Sequence, residues 1–246
     1  LNTTGSGGDA TLDNATTVVV LGTSAAALVT SVGGDLTLRS GAAAGITDSA
    51  TVTVGGNLIA TTDDNDGVID LGTLAVTGTI TLTTDGTGAA TIDNGTANID
   101  IAAASVGGNL TLTSGAAAGI TDSDTVTVGG NLAATTDNND GVITLNELEV
   151  NGTVALVTHG TGAATVVNDA GLEFAASTVG GALSATATTG NIADSGALTI
   201  AGASTFITGA SGSNIILDSS GNVFSDAVTL KADDAGNETF GNITAI

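Results

Sequence analysis

The chain has 246 residues, 41% of them hydrophobic but only 2% aromatic, and it contains no Cys, Pro, Met, Trp or Tyr. This composition excludes a disulfide scaffold, a thiol nucleophile, a thiolate metal site and a core of large side chains. The formal charge is −23, from 25 acidic residues against Arg39 and Lys231 with His159 neutral, so nothing is available to neutralise phosphates and nucleic acid is excluded as a partner.

Taken from the beginning, residues 1–38 read as a Gly-rich opening, a strand-like run Thr16 to Leu21, a small-residue bend Ser24 to Ala27, and a first Val-Gly-Gly corner at Val32. Leu1 onward shows no signal peptide, and ATLDN at Ala10 to Asn14 resembles ATIDN at Ala90 to Asn94, so a processed product or a section of a longer chain is expected. No apolar run approaches a membrane span, and no membrane insertion is expected.

The stretch Ser31 to Ile69 is nearly spelled again by Ser105 to Ile143. The two differ only at Asp35/Asn109, Arg39/Thr113, Ala50/Asp124, Ile59/Ala133 and Asp64/Asn138, each of which is expected at the surface. The period of about 74 residues divides the chain into super-repeats 31–104 and 105–178, with a degenerate third copy over 179–246.

Within that period an apolar residue, a polar or small residue and Gly recur ahead of an alternating run, at Val54, Val76, Val128, Val150, Val179 and Ile200. The steps are about 22, 22 and 30 residues, which suits single coils of a solenoid and makes the unit three coils.

Alternation sets the faces. Leu36 and Leu38, Val52 and Val54, and Ile80 and Leu82 are expected inside, with Thr37, Thr51, Thr53, Thr79, Thr81 and Thr83 outside. SGAAAG at Ser40 to Gly45 and Ser114 to Gly119 is expected to form tight corners, and the polar turns Thr62 to Gly67 and Thr136 to Gly141 to lead into inward Val68-Ile69 and Val142-Ile143.

No stretch has helical periodicity. Pro is absent, as befits strands that are each central to a stack. The fold class expected is therefore all-β: a single right-handed parallel β-helix, or β-solenoid, over 1–246, with about ten coils of about 22–30 residues and a rod on the order of 50 Å long. All four Phe, at 174, 206, 224 and 240, fall in the last third, where a wider cross-section would need larger filling.

The cycle VGGNLTL, AGITDS, TVTVGGNL and VTGTITL resembles the passenger repeats of filamentous haemagglutinin-like adhesins of bacterial surfaces. The resemblance implies a right-handed parallel β-helix, secretion to the cell surface, and adhesion, biofilm or fibre formation, with cell-surface glycans or matrix as partners. No stretch of the 246 residues resembles the amino-terminal secretion module that such adhesins carry.

Several candidate sites are legible. Closely spaced oxygen donors at Asp63, Asn65 and Asp66, and again at Asp137, Asn139 and Asp140, resemble a shortened calcium loop, against the plainer reading of an acidic turn. His159 stands where the first copy has Asp85, and no nucleophile arrangement surrounds it.

Arg39 is replaced by Thr113 and Lys231 lies alone, so the basic residue a polysaccharide lyase would need is not apparent, and no catalysis is expected. Thr-x-Thr pairs raise ice binding but are interrupted, and the lack of Trp and Tyr speaks against a carbohydrate platform. Sequons occur at Asn14, Asn94, Asn109, Asn151, Asn237 and Asn242. The function expected is a non-catalytic extracellular stalk, fibre subunit or matrix component, its open coil edges pairing head to tail into a homopolymer. The alternatives are a carbohydrate-binding or polysaccharide-degrading module and an ice-binding solenoid.

Overall fold

A computed structural model describes residues 1–22, 30–137 and 139–232, and the backbone of 238–240. The expected bend at Ser24 to Ala27 lies outside the described residues, as do Asn138, Asn237, Asn242 and the Phe240 side chain. The described residues contain 29 strands and no helix. The strands form sheets of 12, 14 and 3 strands, stacked as a parallel β-solenoid of about ten turns.

Each coil turns through three sides. Leu36–Ser40, Ile46–Asp48 and Val52–Val54 make one coil, and Leu58–Thr62, Ile69–Leu71 and Leu74–Val76 the next. Stacking is in register: Leu36 lies on Leu58 and Leu58 on Ile80, steps of 22 residues. The same step takes Leu110 to Leu132 and Leu132 to Val154.

Strand alternation follows the sequence pattern. Leu36, Leu38, Val52, Val54, Ile80 and Leu82 are all fully buried, each removal from water contributing roughly 1.5–3 kcal/mol. The partners read as outward are exposed or half-exposed. Of the two polar turns' trailing pairs, only Ile69 and Ile143 point inward. Val68 and Val142 are half-exposed, because neighbouring strand residues take opposite faces. Substitutions between the two copies all fall at positions that are not buried, Asn138 aside.

The 74-residue unit is three coils and one further side. Leu36 belongs to the twelve-stranded sheet, between Ala10 and Leu58. Its counterpart Leu110 belongs to the fourteen-stranded sheet, between Ala90 and Leu132. The next counterpart, Leu183, lies on the third side, reached where strand Ile99–Val106 turns a corner. The first half of that strand pairs with Ile120–Asp122 and the second with Val126–Val128.

Hence the spacing from Val54 to Val76 is one coil of 22 residues, while the 30 residues from Val76 to Val106 are one coil and one side.

At each such step one side ends. The three-stranded sheet Thr30–Val32, Val52–Val54 and Leu74–Val76 stops against Asn94. In the next unit the side that includes Val126–Val128 stops against Asn168.

In the last third, Phe174, Phe206 and Phe224 come from three different strands and meet near the axis. Phe206 is edge-on to Phe174 at 6.3 Å and to Phe224 at 6.0 Å, the arrangement favoured by ring quadrupoles. The large side chains fill the core and present no outer platform.

Candidate functional site

The acidic turns are built by left-handed backbone at Asn65, Asp66 and Asp140, with φ of 57°, 54° and 53°, a conformation that Asn and Asp tolerate better than most residues. Their side chains reach along the rod to neighbouring coils. Asp66 Oδ1 accepts from the Thr87 amide at 2.6 Å, and Asp140 Oδ1 from the Thr161 amide at 2.7 Å. Asn65 and Asn139 donate through Nδ2 to the carbonyls of Gly41 and Gly115, at 2.8 and 2.5 Å.

Asp63 pairs instead with Arg39, whose Nε donates to Oδ2 at 2.9 Å. That hydrogen bond, with the attraction of Asp63, holds the Arg39 guanidinium above its ordinary value. Asp137 is exposed. Among the described residues no group of three or more His, Cys, Asp and Glu is gathered as a metal ion would require. Each set of three candidate ligands is thus brought to one corner of its coil, the two sets at different corners of the rod, but those with hydrogen bonds along the rod serve it as clips.

Other carboxylates and amides that sequence reasoning left unassigned do the same work. Asp48 accepts from the amides of Gly72 and Thr73 at 3.1 and 2.9 Å, and Asp122 from those of Asn146 and Glu147, both at 2.9 Å. Asp194, in the third copy, accepts from Asp218 at 2.9 Å.

A further ladder runs Asp9, Asp35, Asn57, Thr79, in which a side-chain oxygen of each of the first three accepts from the backbone amide of the next residue along the ladder at 2.7–2.9 Å. The signal available in the sequence was the recurrence of Asp or Asn directly after Val-Gly-Gly and after Gly-Ile-Thr. Its meaning depends on the register between coils.

His159 is exposed, with Nδ1 2.6 Å from the Thr136 carbonyl oxygen, to which it donates when that nitrogen carries the proton. Of the sequon asparagines, Asn109 and Asn151 are exposed, whereas Asn94 is buried and cannot be modified in the folded chain. Shallow depressions of about 350 and 420 Å³ flank the places where a side ends, the first lined by Val150, Gly152, Leu172, Glu173 and Asn191, the second by Thr51, Leu74, Asp93 and Thr96.

The outward positions of the Leu-Thr-Leu-Thr type strands define a recurring surface. In the first unit these are Thr37, Arg39, Ile59, Thr61, Thr81 and Thr83. In the second they are Thr111, Thr113, Ala133, Thr135, Ala155 and Val157. In the third they are Ser184, Thr186, Thr205, Ile207, Thr229 and Lys231. None is acidic, and both cations of the chain are among them. Outward positions elsewhere include Asp70, Glu149 and Glu173.

One column of hydroxyls, Thr121, Thr144, Thr165, Ser184, Thr205 and Thr229, runs unbroken along a side. Its neighbouring column is interrupted by Val167, Ile207 and Lys231, so the paired array that an ice-binding face would need is not formed there.

Residues 161–231 match a family model described as repeats of unknown function (DUF5649). The matched segment runs from the second unit into the third, across Leu183–Ala187 and Ser204–Thr208, and so spans one of the steps from side to side. No curated protein and no solved structure matches the chain.

Proposed function

We propose that this chain is an extracellular structural protein, a stalk or fibre segment akin to a surface adhesin's shaft, which lengthens by coaxial stacking of coils and performs no catalysis. The observation that carries the reading is the use made of its polar side chains. At equivalent places in successive units, Asp48, Asp122 and Asp194, and likewise Asp66 and Asp140, are committed to the backbone of the next coil. Such clips cost conformational freedom and yield axial cohesion. A chain built this way transmits tension along its axis, which is what a shaft does.

Two physical features support an exterior location. A charge of −23 keeps separate rods soluble and apart, and a parallel ladder by its geometry has open ends that accept another strand. Calcium enters this proposal only as a modulator of the acidic turns, where it would compete with the Thr87 and Thr161 amides for the clipped oxygens of Asp66 and Asp140.

The reading is tested by electron microscopy of the purified chain over a range of protein and calcium concentrations. Filaments are expected, one solenoid wide at low protein concentration. Separate short rods under every condition would overturn coaxial assembly.

A further inference from the structure

The three surfaces together hold 18 outward positions without a carboxylate, six on each, and both cations of the chain, and the step of the repeat places one surface on each of the rod's three sides. We propose that they are the faces through which a second copy of this chain packs side by side, a property that rests on the structural role proposed above.

The argument is electrostatic first. Two rods of charge −23 that approach corner to corner oppose clusters such as Asp63, Asp64 and Asp66. Approach through the outward positions of these strands opposes none, and leaves carboxylates only at the rims. On the first unit's rim Asp63 is already neutralised by Arg39. On the third, Lys231 is exposed at the end of strand Val228–Lys231, within reach of a neighbour's acidic rim. Shape agrees with charge: the outward residues are mostly Thr, Ala, Ser and Val, short enough for sheets to meet at the usual spacing of about 10 Å.

Size then sets the strength. Three strands about 4.8 Å apart and five residues long, at about 3.3 Å each, give a face of about 14 by 17 Å. That is roughly 240 Å² per partner, against about 800 Å² in a standard stable interface. A single contact is therefore weak, and association grows by engaging several faces at once. Because successive faces point to three different sides and lie about 16 Å apart along the axis, one rod reaches three neighbours. The product is a bundle or mesh.

The test compares the full chain with a triple variant, Ile59→Asp, Ala133→Asp and Thr205→Asp, which places one charge in the central strand of each face. A second triple variant, Thr53→Asp, Ala117→Asp and Thr199→Asp, adds equal charge outside them. Cross-sectional radius is measured by small-angle X-ray scattering against protein concentration in high salt, with thermal melting as a check on folding.

The parent and the second variant are expected to thicken with concentration, and the first variant to need at least a tenfold higher concentration while melting normally. Equal loss in both variants, or a parent of single-rod thickness throughout, would overturn lateral packing. Filaments of single-rod width in that last case would leave coaxial assembly standing, so the two ideas fail separately. Retention of the parent on a neutral polysaccharide resin, lost in the first variant without any self-association, would assign the faces to glycan and overturn the second copy as occupant.

Discussion

Asn94 makes a pair of hydrogen bonds with the peptide groups of Val76, accepting from its nitrogen at 2.7 Å and donating to its oxygen at 3.0 Å. Its side-chain amide, wholly buried, stands where the next strand would otherwise lie, and its Nδ2 donates also to Asn98. Asn168 repeats the arrangement on Val150, 74 residues later. A side of the solenoid thus ends without leaving the final residue of its last strand unpaired.

Replacing Asn94 by Ala strands a buried donor and two acceptors. The expected loss is about 2–5 kcal/mol, read by denaturant unfolding. Hydrogen exchange should localise it, with faster exchange at Val76 and little change at Val179, since repeat arrays open locally.

Glycine at the Val-Gly-Gly corner is a matter of space. A Cβ at Gly55 would stand 2.5 Å from the Gly33 carbonyl oxygen in the adjoining coil, whereas one at Gly72 would meet nothing within 4 Å. Gly55→Ala should destabilise by about 1–3 kcal/mol. Gly72→Ala, at a position of ordinary φ, should be neutral or raise stability by about 0.4–1 kcal/mol. Paired melts of the two variants check the contrast.

Phe206 is fully buried between two other rings. Phe206→Ala should cost about 3–5 kcal/mol and loosen the last third first. Limited proteolysis should then cut after residue 180 before it cuts near Leu36.

Arg39→Thr copies the second unit into the first. Its ion pair with Asp63 is exposed, and pairs of that kind contribute little. The melting temperature should not change, and a marked fall would show that the pair holds the corner together.

The unit itself can be removed. Deleting Ser105 to Ser177 joins Ala104 to Thr178 and gives every remaining strand a neighbour equivalent to its present one. The shortened chain should fold cooperatively and lose about 16 Å of length by small-angle scattering.

How much of this was legible follows from which residues carry it. The inward set, Leu36 and Leu38 or Val52 and Val54, could be read because a strand's alternation is local. The 30-residue step was visible as a number, but its meaning as a change of side was not, since it depends on which coil Val106 pairs with. The turn carboxylates were legible as a cluster of oxygen donors. That Asp66 and Asp140 spend theirs on Thr87 and Thr161 is a fact of register between segments about 21 residues apart, which local spacing does not encode. Val68 and Val142 misled because an apolar pair was read as facing inward together, where alternation allows only one.

The step from side to side acts as a vernier between two scales, the coil of about 22 residues and the written unit of about 74. The scales come back into phase only after three units, about ten turns. Copying one unit in tandem therefore aims the same surface in a new direction each time, with no substitution required. A rod lengthened in this way acquires radial coverage as a by-product of simple duplication.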